Sequence, residues 1–288
     1  MPPRRDLRER LVRPAPELVV APLALDALSA ALARRVGFDT VYLGGGGLGY
    51  QRAVTEALLT ATELSEATRA ITERVDVHVV VDGGIGFGDP VHLARAIRLI
   101  EDAGGAAIEI EDQVAPKRVH HHKGVEHLVP PEEMAGRIRA AVDARRDPDF
   151  LIIARCNSFA HEGVDATLER LALYAEAGAD LLMPIARSAE QHAAASQGTH
   201  LPLAAMVIGP GRPASEMIAA GYALSVDPMS AQVLAYRAMQ SGYEGIRAGA
   251  GFGMTAQAVL EAIREIGDTI SIDALYEIES RTTERDSR

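Results

Sequence analysis

Eight short apolar runs of strand type alternate with longer amphipathic stretches along most of this 288-residue chain, and that alternation most limits what it can fold into. The strand candidates lie at 18–21, 40–43, 77–81, 107–111, 150–154, 181–184, 203–207 and 223–226. Helical patterns occupy 26–36, 62–72, 90–103, 131–144, 164–177, 189–195, 214–220 and 229–241. Near-continuous apolar strands are buried on both faces, which suits a parallel sheet covered by helices. Three helical stretches run into Gly104, Gly178 and Gly221, residues placed to close a helix and restart the chain. Eight such units predict an α/β fold, a (β/α)8 TIM barrel. An open doubly wound sheet is the other arrangement of these units, and the count of eight disfavours it.

A barrel commonly takes about 250 residues, so 1–288 reads as one domain. A glycine-rich link at 249–253 leads to two further helical patterns, 255–266 and 272–283. This 249–288 extension exceeds what a closed barrel needs. It is expected to cap the barrel or reach onto a neighbouring subunit, and residues 284–288 are expected to fray.

The formal net charge of −11, from 40 acidic and 29 basic side chains, argues against nucleic acid or an anionic membrane as partner. The one cysteine, Cys156, excludes an intrachain disulfide and a cysteine metal cage. No apolar run approaches the length of a membrane span, and the charged start lacks a secretory apolar region. A cytoplasmic protein is the expectation.

In such barrels chemistry sits at the C-terminal ends of the strands, which yields a candidate list. The second strand ends in Gly44, Gly45, Gly46 and Gly47, whose N–H groups suit an anion; a tight turn needing positive φ is the alternative. The third ends in Asp82 and a glycine-rich segment in which Asp89 can cap a helix beginning at Pro90. The fourth supplies Glu109 and Glu111 on one face and Asp112 on the other. Asp82 and Glu111, from adjacent strands, can share a hard cation such as Mg²⁺. Beyond them runs a loop with Lys117, Arg118, His120, His121, His122, Lys123 and His127. It reads either as a lid over an anion, with one imidazole for proton transfer, or as a solvated basic loop. Arg155 ends the fifth strand, placed to bind a carboxylate or to form a structural ion pair. Nothing near Cys156 in sequence supplies a base, so it reads as a neighbour of the site.

At these residues the chain resembles the isocitrate lyase/phosphoenolpyruvate mutase superfamily, most of all its methylisocitrate lyase and dimethylmalate lyase branch. The resemblance runs from about Leu7 to Met239. It rests on 22–30, on Tyr42-Leu43-Gly44-Gly45-Gly46-Gly47, on Ile110-Glu111-Asp112-Gln113 with Pro116-Lys117-Arg118, and on 147–155. It implies a Mg²⁺-dependent (Mn²⁺ being the alternative ion) barrel acting on a small 2-oxo or 2-hydroxy diacid through an enolate. It also implies a homo-oligomer, tetramer or dimer, with an exchanged C-terminal helix. Asp82 and Glu111 inherit metal roles, and Arg155 with the Gly45 and Gly46 backbone inherits carboxylate binding. Gly44, Arg118 and Asn157 join the substrate-binding set.

Six polar positions of the family pattern are replaced. Gly84 stands for the second metal-site aspartate and Val119 for the cysteine acid. Gly44 stands for the carboxylate-loop serine and Asn157 for an aspartate, while Ile185 and Ala205 stand for a glutamate and an asparagine. In the loop after the second strand Glu56 is the nearest acid. Three functions follow: a carbon–carbon lyase with His120 or His121 as substitute acid, an oxaloacetate decarboxylase or phosphonopyruvate-type hydrolase, or a divergent barrel that binds a ligand or serves an unusual biosynthetic step.

Overall fold

The computed structural model describes residues 2–13 and 17–284. Residues 285–288, most of the end expected to fray, lie outside them. Eight strands form one sheet: β1 Val19–Ala21, β2 Thr40–Leu43, β3 His78–Asp82, β4 Ala107–Glu111, β5 Leu151–Cys156, β6 Leu181–Pro184, β7 Leu203–Met206 and β8 Tyr222–Val226. Every pairing is parallel, in the order β1-β8-β7-β6-β5-β4-β3-β2. An isolated parallel bridge between Leu23 and Tyr42 joins the two ends. There Tyr42 N donates to Pro22 O at 2.9 Å and Ala24 N donates to Tyr42 O at 2.9 Å. The sheet is therefore the barrel that the alternation predicts.

Twelve helices accompany it among the described residues: α1 Arg4–Val12, α2 Ala27–Val36, α3 Gly45–Gln51, α4 Ala61–Thr72, α5 Pro90–Asp102, α6 Pro131–Ala144, α7 Gly163–Glu176, α8 Ala189–Gly198, α9 Ala214–Ala219, α10 Ser230–Arg247, α11 Ala256–Thr269 and α12 Ile272–Arg281. Local chemistry sets their ends. Asp89 caps α5, its Oδ1 accepting from Val91 N and His92 N at 3.0 Å each, with Pro90 in the first turn. Gly104, Gly178 and Gly221 all have positive φ, as the helix-closing role requires. The β-branched and leucine runs, from Val79–Val81 through Ile108 and Ile152–Ile153 to Leu181–Leu182, are fully buried between helices and barrel interior.

Two helices were not legible in sequence. α1 is so charged that its apolar period is reduced to Leu7 and Leu11, both fully buried. Its arginines seat it across the strand starts: Arg4 donates to Gly105 O at 2.8 Å and Asp147 Oδ2 at 2.9 Å, Arg8 to Asp180 Oδ1 at 2.9 Å, and Arg10 to Asp39 Oδ2 at 2.8 Å. The other is α3, built on the glycine run. The positive-φ turn does not occur there, since none of Gly44 to Gly47 is left-handed. Glycine is a poor helix former, but close packing demands it. A Cβ on Gly47 would lie 3.1 Å from Leu23 and Leu25 side chains, and one on Gly49 would lie 2.8 Å from Glu56 N.

The C-terminal helices have no buried residue and expose Leu234, Ile263 and Tyr276 among other apolar side chains. α11 touches α2, where Arg35 donates to Glu265 O at 2.8 Å and to Thr269 Oγ1 at 2.9 Å. Among the described residues no helix is long and apolar enough to cross a membrane.

Candidate active site

Strand register brings the acids together. Asp82 pairs with Glu109 across β3 and β4, and Glu111 pairs with Arg155 across β4 and β5. Parallel register partners point to the same side, so all four side chains meet at the C-terminal mouth. Asp82 is held by backbone: Gly45 N donates to Oδ2 and Gly84 N to Oδ1, each at 2.9 Å. Glu109 is fully buried, accepting from Tyr42 Oη at 3.0 Å and Arg155 Nη1 at 2.9 Å. Its burial, and then the charge of Asp82, push its pKa up to about 7 against the pull of Arg155.

Glu111 two residues on behaves oppositely. Lys117 Nζ donates to its Oε1 at 2.6 Å, while Gln113 Nε2 and Asn157 Nδ2 donate to Oε2 at 3.2 and 3.3 Å. Burial would raise this carboxyl as well. Arg155 and Lys117 outweigh burial and bring it down to about 2. Glu111 is thus a fixed anion, and Glu109 a carboxyl that titrates near neutrality. Asp112 faces away, accepting from Tyr174 Oη at 3.0 Å and from Asn157 N at 2.9 Å.

The loop beyond β4 folds back over this group. A 3-10 turn, Val119–Lys123, meets another, Glu56–Leu58, that follows α3. His121 Nε2 is hydrogen-bonded to Glu56, and its Nδ1 lies 2.6 Å from Arg118 O. His122 Nε2 lies 2.7 Å from Thr55 Oγ1 and 3.5 Å from Glu56 Oε2. Lys117 Nζ lies 3.6 Å from Glu56 Oε1. Burial pushes the Glu56 carboxyl up, but Lys117, His121 and His122 together hold it below its ordinary value. Beside the mouth lies a cleft of about 960 Å³ with an apolar wall that includes Ile85, Phe87, Val114 and Leu128. Glu56 and Lys117 form its border with the carboxylates, whereas Asp82, Glu109 and Arg155 do not line it.

Of the residues singled out in sequence, Asp82, Glu111, Arg155 and Asn157 are brought together. Gly45 joins them through an N–H already given to Asp82, and Gly44 and Gly46 flank it at the start of α3. Arg118 and His120 are exposed, the His120 ring lying 6.4 Å from that of His127. His121 belongs to the Glu56 contact. Sequence reasoning gave no role to Glu109, though its spacing from Glu111 announced a shared face. It also passed over Lys117 as one basic loop residue among several. Tyr42, Glu56 and His122 were visible only as a motif residue, the nearest acid of a loop and one of three histidines, because barrel closure and loop folding set their contacts. Cys156 is buried, and burial and Asp112 raise its thiol pKa well above the usual range.

The family model described as phosphoenolpyruvate phosphomutase matches residues 7–247. The chain belongs to the phosphoenolpyruvate mutase/isocitrate lyase superfamily. It is 40% identical over 231 residues to the 2,3-dimethylmalate lyase of Eubacterium barkeri, covering 77% of this chain and 79% of that one. It is 44% identical over 169 residues to the 2-methylisocitrate lyase of Aeropyrum pernix, covering 58% of this chain and 54% of that one. The chain thus spans little more than half the length of that second relative. A phosphonopyruvate hydrolase solved with oxalate and Mg²⁺ superposes with a TM-score of 0.87 at 27% identity, covering 98% of this chain and all of that one.

The positions where the sequence departs from the pattern it resembles have these surroundings. A Cβ on Gly44 would lie 3.1 Å from Tyr42 Cε1 and 3.2 Å from Leu23 Cδ1, so a serine there is crowded. Gly84 has φ +52° and open space where a Cβ would stand. Val119 is 53% exposed, Ile185 packs against the core, and Ala205 is buried. Asp82, Glu109 and Glu111 are hard oxygen donors gathered at one strand-end mouth, and burial first, then the charge of Asp82, raises the pKa of Glu109. That donor set fits a hard divalent cation such as Mg²⁺ or Mn²⁺.

Proposed function

We propose that this chain is a divalent-cation-dependent lyase that cleaves a carbon–carbon bond in a small 2-hydroxy or 2-oxo carboxylate by way of an enolate. The single observation that carries this reading is the paired register of Asp82 with Glu109 and of Glu111 with Arg155, with Lys117 bonded to Glu111. Asp82 and Glu111 would hold the ion, with Glu109 behind them. Bound there, Mg²⁺ or Mn²⁺ would polarise the substrate's 2-oxygen and lower the energy of an enolate.

The chain's own residues then divide the work. Arg155 gives Nη1 to Glu109 and Nε to Asn157 Oδ1 at 3.2 Å, while Nη2 makes no hydrogen bond among the described residues. Nη2 and the glycine turn at Gly44 to Gly46 would receive the substrate carboxylate. Asn157 orients both Glu111 and Arg155. His120 is exposed and both nitrogens of His121 are engaged, so we give the proton donor's role to Lys117. Its ammonium reaches Glu111 and stays charged, since the pull of Glu111 outweighs burial. It would return a proton to the enolate carbon.

A hydrolytic or decarboxylating reaction is the second reading. It needs no acid where Val119 has replaced cysteine, and the phosphonopyruvate hydrolase superposes along the whole chain. The exposed apolar faces of α10 to α12 support a homo-oligomer in either case.

The test is a panel of 2-hydroxy and 2-oxo diacids with Mg²⁺, Mn²⁺ or a chelator. Pyruvate or glyoxylate release without carbon dioxide or phosphate, needing the ion and lost in Asp82→Asn, supports the lyase. Carbon dioxide or phosphate release selects the second reading. A folded protein with no turnover on any member, and no Mn²⁺ binding by calorimetry with oxalate, defeats both.

A further inference from the structure

Glu56, His121 and His122 offer three ligand atoms that all lie within 4.8 Å of one another, the one such group among the described residues. They sit on the two facing 3-10 turns and include none of the acids assigned to the Mg²⁺-type ion. We propose that they form a second cation site, selective for a borderline transition ion of the Zn²⁺ class, that fastens the histidine loop to the Glu56 turn.

Donor chemistry separates the two sites. Two imidazoles and one carboxylate suit Zn²⁺, Co²⁺ or Ni²⁺, whereas Mg²⁺ demands oxygen. The geometry is already oriented for ligation. A metal-bound histidine usually gives its other ring N–H to a carbonyl, which fixes the ligating nitrogen. The His121 Nδ1 contact with Arg118 O, at 2.6 Å, does this and leaves Nε2 facing Glu56. His122 turns Nε2 toward the same carboxylate, beside Thr55 Oγ1. Three protein ligands leave a fourth position for water, as in open zinc sites. Lys117, 3.6 Å from Glu56, competes for that carboxylate, and its closer contact with Glu111 at 2.6 Å draws it off. Because Lys117 and His121 share one loop, an ion here holds the lysine in place over Glu111.

Tag-free protein titrated with Co²⁺ in the presence of excess Mg²⁺ tests this. One equivalent should give visible ligand-field bands that Zn²⁺ bleaches. His122→Ala and Glu56→Gln should each abolish the bands and lower Zn²⁺ affinity by ~100-fold or more, the upper range for a lost supporting contact alone. Asp82→Asn and His127→Ala should keep them, which separates this site from the proposed catalytic ion and from the exposed His120–His127 pair. Zn²⁺ should also slow tryptic cleavage after Arg118 and Lys123 in the parent chain but not in His122→Ala. Absence of the bands, or bands that survive both His122→Ala and Glu56→Gln, overturns the site and leaves a metal-free hydrogen-bonded latch.

Discussion

Asp82 and Glu109 are register partners on β3 and β4, the first held by two backbone amides and the second by Tyr42 and Arg155. Burial, and then the neighbouring charge of Asp82, raises the pKa of Glu109 above the ordinary carboxylate value.

Its folded pKa of about 7 exceeds the ordinary 4.5, so the native state holds an extra proton between those values. Stability therefore falls as pH rises from 4.5 through 7, by about 3 kcal/mol when roughly 2.5 units are taken at about 1.36 each. Glu111 has the opposite sign. Its pKa of about 2 adds stability above pH 4.5 that is lost only as pH falls toward 2, outside this window. Thermal melts of metal-free protein from pH 5 to 8 should show the decline, and Glu109→Gln should flatten it. An equal slope in the variant contradicts the assignment.

Placing an acid at position 84 is sterically open. Gly84 has φ +52° and no heavy atom within 4 Å of an added Cβ, and aspartate tolerates this region better than most residues. Gly84→Asp should cost about 1–2 kcal/mol of stability. It should also tighten Mn²⁺ binding at least tenfold, because a further carboxylate offsets dehydration of the ion. Calorimetric titration with matched melts reads both effects, and unchanged affinity would separate residue 84 from the ion.

One residue earlier the opposite holds. A Cβ on Gly83 would stand 2.7 Å from both Glu109 O and Ile108 Cδ1, within the turn whose Gly83 N donates to Glu109 O at 2.8 Å. Gly83→Ala should cost about 1–3 kcal/mol by overpacking and displace β3 from β4. Denaturant melts and loss of divalent-ion affinity report it together.

Lys117→Met keeps most of the length of the side chain and removes its charge. Glu111 then loses its ammonium partner in a buried place, which should cost about 3–5 kcal/mol. With that competing cation gone, Mn²⁺ affinity should rise even as turnover falls. A variant that loses stability, affinity and activity in parallel would make Lys117 structural only.

The barrel was readable from the chain because its signals are local. Continuous apolar runs and period-3.6 patterns, Asp89 before Pro90, and glycines at 104, 178 and 221 each act over a few residues, and their sum dictates eight β-then-α units. Asp82, Glu111, Arg155 and Asn157 were readable by the same token, since a strand end in a barrel is a place on one face. Helix α1 and the glycine helix α3 were not. Their stability comes from partners far along the chain, Asp147 and Asp180 for one, Leu23, Asp82 and Glu56 for the other.

Charge state belonged to folding as well. Glu109 and Glu111 are the same residue two positions apart on one strand, and nothing local separates them. Register sets Asp82 beside Glu109, and a loop six residues on sets Lys117 against Glu111. One carboxyl titrates near 7 and the other near 2 because Coulomb energy depends on distance through space, which the chain acquires only by closing the barrel.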